Sequence, residues 1–129
     1  MVVALAISSV ATACIVAGYL FSTTILEHSG ESLAANALAA QRLEQTRAAK
    51  WDLSQFPPVD ELVATNFPPQ VAVLDIPRTG NNVTYATNFT QLSVVSINPP
   101  VKAIQVDCVW RFMDRGLRTN TIVSYRRPD

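Results

Sequence analysis

The sequence predicts an α+β protein in which one long N-terminal helix packs on a small antiparallel sheet of about four strands. Three observations indicate this class. Residues 1–26 contain no Asp, Glu, Lys, Arg or His, residues 27–51 continue with apolar side chains at helical spacing, and residues 52–129 alternate β-prone runs with turn residues. A helix followed by strands on short turns is typical of antiparallel α+β domains.

Residues 1–26 are long enough to cross a membrane as a helix. At about 1.5 Å per residue they would reach ~39 Å, more than the ~30 Å hydrocarbon core of a bilayer. A cleavable secretory signal is the alternative, but its apolar region is about 7–15 residues long and follows basic residues. Here the apolar run is longer, and Arg42 is the first basic side chain. We therefore predict a membrane-embedded helix, weakly hydrophobic because Ser, Thr, Ala and Gly dilute its larger side chains.

Small side chains recur every four positions within this segment. Such rows let helix backbones approach closely in lipid, where van der Waals packing drives association. The alternative, given equal weight, is that Ala and Gly are simply common in membrane spans. The residues predicted to contact other helices are Ala4, Ser8, Ser9, Ala13, Ala17 and Gly18.

Residues 27–51 are predicted to continue the helix as an amphipathic segment. A polar break at 27–32 contains Gly30, which costs a helix about 1 kcal/mol relative to Ala, so the helix is expected to loosen there without ending. Pro57 then forbids its continuation. The sheet-facing stripe of this segment is predicted to comprise Leu33, Ala37, Ala40, Leu43 and Trp51.

The remaining residues, 52–129, are predicted to form a small β domain. Its strands are expected within 70–76, 83–87, 89–97, 104–112 and 117–125. For residues 59–66 the sequence does not decide between a helical turn and a loop. The clearest alternation puts Cys108 on the same face as four larger apolar residues, as a half-buried strand requires. These four, predicted to pack against the helical stripe, are Ile104, Val106, Trp110 and Phe112.

Composition and motifs exclude several classes of function. The formal net charge is +0, so the overall basic field typical of nucleic-acid binding is missing and nucleic acid is not an expected partner. No nucleophile motif or phosphate-binding loop is present, and we predict neither an enzyme nor a cofactor. His28 with Glu27 and Glu31 could offer metal ligands, but no second cluster completes a site, and a solvated helix surface is the favoured interpretation.

Basic side chains concentrate near the predicted last hairpin. They could form a local patch for a partner or for lipid head groups, although charges that protect the solvated edges of strands are the favoured explanation. These residues are Arg111, Arg115, Arg118, Arg126 and Arg127.

The sequence Met-Val-Val-Ala-Leu-Ala-Ile at 1–7, with the Ala-, Leu-, Gln- and Arg-rich run at 32–49, resembles the N-terminal helix of type IV pilin-like proteins. Within that group it is most similar to minor pilins and to the I-type minor pseudopilin of type II secretion systems. The resemblance covers residues 1–51, and the later strands agree in kind only. It implies a single-pass subunit of the bacterial inner membrane, with its C-terminal domain in the periplasm, that joins other pilin-like subunits through its helix.

One part of the family pattern has no counterpart here. Family members carry a basic leader ending in Gly and a Glu shortly after the cleavage site, ahead of a similar apolar run, which here begins at Met1. We expect either that the start was placed too far downstream or that the chain is a truncated relative. The alternative function is a single-span protein whose sheet domain binds a ligand or envelope partner and never polymerises.

Overall fold

A single uninterrupted helix occupies the first third of the chain. In the computed structural model, which describes residues 2–76, 83–113 and 115–129, α1 comprises Val2–Arg47, 46 residues. It continues through Gly30 without the expected loosening. Its last turn tightens, with the Ala49 N–H donating to the Thr46 carbonyl at 3.3 Å. Trp51, predicted to lie on the helix, instead begins the first strand, because the chain has already left the helix at Arg47.

The strands that follow the helix are all antiparallel, which confirms the predicted α+β class. A four-stranded sheet has the order β3-β4-β5-β6, and β1 pairs separately with β2. The elements are β1 Trp51–Asp52, β2 Val59–Asp60, a 3-10 turn Ala64–Asn66, β3 Gln70–Val73, β4 Tyr85–Ile97, β5 Pro100–Arg111 and β6 Leu117–Arg126. The predicted turn at 77–82 and Asp114 lie outside the described residues.

Strand β4 is longer than the sequence predicted. It passes without a break through Asn88, which joins the runs 83–87 and 89–97 that we expected to be separate. Asn88 faces the helix and is buried, and its Nδ2 donates to the Leu38 carbonyl at 3.4 Å. This long contact pairs only the amide nitrogen of Asn88, because its Oδ1 is buried with no hydrogen-bond partner within the described residues.

The core lies between α1 and one face of the sheet. Ile104, Val106, Cys108, Trp110 and Phe112 are all buried, and they follow the predicted alternation along β5. Burial raises the pKa of the Cys108 thiol to about 11, because a thiolate is poorly solvated there. Leu43 and Trp51 also lie in this core.

The prediction of which helical residues face the sheet was wrong for three of them. Leu33 is 71% exposed, and Ala37 and Ala40 are exposed beside it. The helix turns its other side to the sheet, where Ala35 and Ala39 are fully buried. Since bulky rings on β5 already fill the space, the helix fits best with small side chains at the contact. The residues of α1 that this side buries are Glu31, Ala35, Ala39, Leu43 and Thr46.

A charged contact ties the β1–β2 ladder to the main sheet. Lys102 Nζ on β5 lies 2.6 Å from Asp60 Oδ2 and 2.8 Å from the Leu62 carbonyl oxygen. The same ammonium group lies 4.8 Å from the centroid of the Trp51 ring. This contact closes the end of the core where α1 ends.

Candidate functional site: an exposed apolar helix and its junction with the sheet

The N-terminal half of α1 packs against nothing in this chain. Residues 2–22 are all exposed, and the most apolar 18-residue window of the helix is 0% buried. By length and composition α1 can cross a membrane, and it does not resemble the buried core helix of a soluble protein. Covering the larger apolar side chains of this half would contribute on the order of 10–25 kcal/mol, comparable to or above the ~5–15 kcal/mol that stabilises a typical domain. Covering this segment with lipid or with another protein would therefore stabilise it.

Hydroxyl groups within this half hydrogen-bond to their own helix. Ser9 Oγ donates to the Ala6 carbonyl and Thr12 Oγ1 to the Ser8 carbonyl, both at 2.8 Å. Thr23 and Thr24 donate to the Leu20 carbonyl at 2.9 Å. A hydroxyl paired in this way does not need water, so these polar residues are compatible with a hydrocarbon environment.

The predicted helix-contact residues occupy two sides of α1. The first group is Ala4, Ser8 and Gly18, the second is Ser9, Ala13 and Ala17, and all six side chains are exposed. With about 100° between successive residues, the two groups lie on opposite sides of the helix. Further along α1, the side of the first group carries Leu33, Ala37 and Ala40, and the side of the second group packs on the sheet. Their contacts with other helices stay a prediction.

An aromatic cluster marks where α1 meets the sheet. The His28 ring centroid lies 5.0 Å from that of Phe112 and 5.6 Å from that of Trp110. Trp110 and Phe112 meet edge to face at 6.1 Å, an arrangement that aromatic quadrupoles favour. The cluster holds Trp110 and Phe112 against the helix at His28, two residues after the uncharged stretch ends.

The polar break at 27–32 is not the solvated surface that the sequence predicted. Glu31 is only 1% exposed and His28 is half-buried, whereas Glu27 is exposed. The reason is that the side of α1 carrying His28 and Glu31 is the one that the sheet covers. Within the described residues, no three His, Cys, Asp or Glu side chains come together in a way that could hold a metal ion.

Asn120 on β6 joins the aromatic cluster to polar side chains of α1. The Trp110 indole N–H donates to Asn120 Oδ1 at 2.7 Å. The Asn120 amide then donates to Ser32 Oγ at 3.0 Å and to Asn36 Oδ1 at 3.1 Å. Sequence reasoning missed this residue, since an Asn in a strand pattern carries no sign of a partner 84–88 positions away.

The five arginines of the last hairpin do not form one patch. Register pairs Trp110 with Arg118 at one end of the β5–β6 ladder and Lys102 with Arg126 at the other. Arg126 donates to the Ala49 carbonyl and to Asp129 near the end of α1. Arg111, Arg115 and Arg118 are exposed at the opposite end, beside the aromatic cluster.

The site therefore consists of an unpacked apolar helix and a polar-aromatic junction that anchors it to a sheet. Comparison with protein-family models, curated proteins and solved structures finds no match for this chain.

Proposed function

We propose that the chain is a minor structural subunit of a type IV pilus or of a type II secretion pseudopilus. Before assembly it is anchored by α1 in the bacterial inner membrane, with the sheet domain on the periplasmic side. The observation that carries the proposal is that one continuous helix has two environments: its first half is apolar and unpacked, and its second half is fixed to an antiparallel sheet. The resemblance of residues 1–51 to pilin-like helices is the reason for proposing this family.

The properties of the span support assembly with other helices. Four of its hydroxyls, those of Ser9, Thr12, Thr23 and Thr24, donate to carbonyls of the same helix, so they need no partner in lipid or in a helix bundle. Small side chains on two sides of the helix allow contact with more than one neighbour, as a helical filament requires. Transfer from lipid to a bundle then depends on close packing rather than on burial from water.

A second candidate is a single-span protein whose sheet binds an envelope partner and never polymerises. The outer face of the sheet favours it, because apolar side chains such as Val71 and Tyr85 are more than half exposed there. Phe89 lies on the same face at 40% exposure. Such a face provides apolar area for a partner without any helix contact.

Cross-linking in the native membrane separates the two candidates. The cysteine variants Ala13→Cys and Ala17→Cys, each with Cys14→Ala, place a thiol on a predicted contact side. Leu5→Cys in the same background is the control, because Leu5 lies between the two small-residue sides. We expect sulfhydryl cross-links from positions 13 and 17 to pilin-type helices, identified by mass spectrometry, and much weaker ones from position 5. A purely monomeric result at all three positions would favour the second candidate.

A further inference from the structure

The turn between β5 and β6 lies level with the end of the uncharged helical stretch. Phe112 contacts His28, and Asn120 contacts Ser32. From Asn120 to Leu117 the strand advances about 10 Å, which corresponds to about seven residues of helix at ~1.5 Å each. Leu117 therefore lies near the level of Leu26, the last residue before the first charged side chain, Glu27.

This turn combines exposed cations with exposed apolar side chains. Arg111, Arg115 and Arg118 are exposed, and Leu117 is 71% exposed. Met113 adopts a left-handed conformation with φ 44° and is 43% exposed. Asp114 lies outside the described residues, and by sequence the segment 111–118 has three Arg and one Asp.

We propose that the described residues of this segment, 111–113 and 115–118, form a membrane-docking turn that binds the anionic head groups of the bilayer crossed by α1. The inference rests on the proposed membrane anchoring. The arginines supply charge-assisted hydrogen bonds to lipid phosphates. Met113 and Leu117 supply apolar area at the boundary of head groups and acyl chains. Docking would fix the sheet domain against the bilayer at a second point, beside the helix.

The far end of the same hairpin provides an internal contrast. Arg127 lies beyond β6, which ends at Arg126, and the strand separates it from the turn by roughly 30 Å. Arg47 lies on the last turn of α1, on the same far side of the domain. These two cations lie several Debye lengths from the lipid surface, where its potential is largely screened.

The test uses the full chain with Cys14→Ala in nanodiscs of phosphatidylcholine, with or without phosphatidylglycerol. A fluorophore is attached to Met113→Cys to report docking, and in a separate sample to Val10→Cys to report insertion of the span. Cys108 is buried and is not expected to react. Quenching is measured with a water-soluble quencher and with a lipid-attached quencher at the head-group level. The variant Arg111→Gln with Arg115→Gln is compared with the matched control Arg47→Gln with Arg127→Gln.

Phosphatidylglycerol is expected to shield position 113 from the aqueous quencher and to expose it to the lipid quencher. The Arg111→Gln, Arg115→Gln pair should lower the ratio of docked to undocked turn about 30-fold, from ~1 kcal/mol per basic residue at an anionic surface, and the control pair should leave it unchanged. A lipid-embedded label at position 10 with an aqueous, lipid-insensitive label at position 113 would overturn docking while the span stands. An aqueous label at position 10 would overturn the membrane anchoring itself, and docking with it.

Discussion

Replacing Ala39 by Leu tests which side of α1 carries the sheet. Ala39 is fully buried in the core, so three additional carbon atoms have no space without displacing the helix or the β5 side chains. Overpacking of this kind costs about 1–3 kcal/mol. For a folded domain of roughly 100 residues, that corresponds to a fall in Tm of ~5–20 °C.

The neighbouring Ala40→Leu variant is the matched control. Ala40 is exposed, and Ala and Leu have similar helix propensities, so a change within about 0.5 kcal/mol is expected. Urea unfolding of the full chain in detergent, followed by the fluorescence of Trp51 and Trp110, measures both variants, because both indoles are buried. Equal destabilisation by the two substitutions, or a neutral Ala39→Leu, would refute the assignment of the buried side.

Three further changes have defined outcomes in the same unfolding assay. Asn120→Leu should cost about 1–3 kcal/mol, because the buried Trp110 indole N–H loses its acceptor. Gly30→Ala should raise stability by up to ~1 kcal/mol, since an added Cβ meets nothing within 4 Å. The pKa of the Cys108 thiol is raised from 9.0 to about 11, so between these pH values the unfolded chain loses a proton that the folded chain keeps, and stability falls as the pH rises. Cys108→Ala should remove that part of the alkaline loss, at most ~1.4 kcal/mol per pH unit.

Each of these outcomes has its own control. Thr119→Val changes an exposed residue beside Asn120 and should alter stability by less than about 0.5 kcal/mol. Cys14→Ala removes the other thiol, which is exposed, and is the matched control for Cys108→Ala. A destabilising Gly30→Ala would contradict the unobstructed helix at that position. An unchanged alkaline slope in Cys108→Ala would show that other groups account for the pH dependence.

The strand pattern was predictable because it depends on local alternation. The period of two from Ile104 to Phe112 identifies the buried face of β5 without knowledge of its partners. The continuity of β4 was not predictable, since Asn88 is buried against α1 and contacts a carbonyl fifty residues away. At 27–32 the charged side chains led to the prediction of a solvated surface. The sheet instead buries Glu31.

The buried side of α1 shows why hydrophobicity alone could not orient the helix. Ala35, Ala39 and Leu43 form a row as regular as the row through Leu33, Ala37 and Ala40. The choice between the two rows depends on the size of the rings on β5, which is a property of the partner and not of the helix. The roles assigned to the small residues of the span depend equally on partners and stay predictions.

Because α1 is continuous, a change in the tilt of the membrane segment moves the sheet domain as well. About 21 residues separate Leu26 from the end of the helix, a distance of ~32 Å. A change of ~10° in the tilt of the span would therefore move the far end of the sheet sideways by about 6 Å at that length. Because the helix does not loosen at Gly30, a rotation imposed by lipid or by a neighbouring subunit is transmitted to the surface that the domain presents to its surroundings.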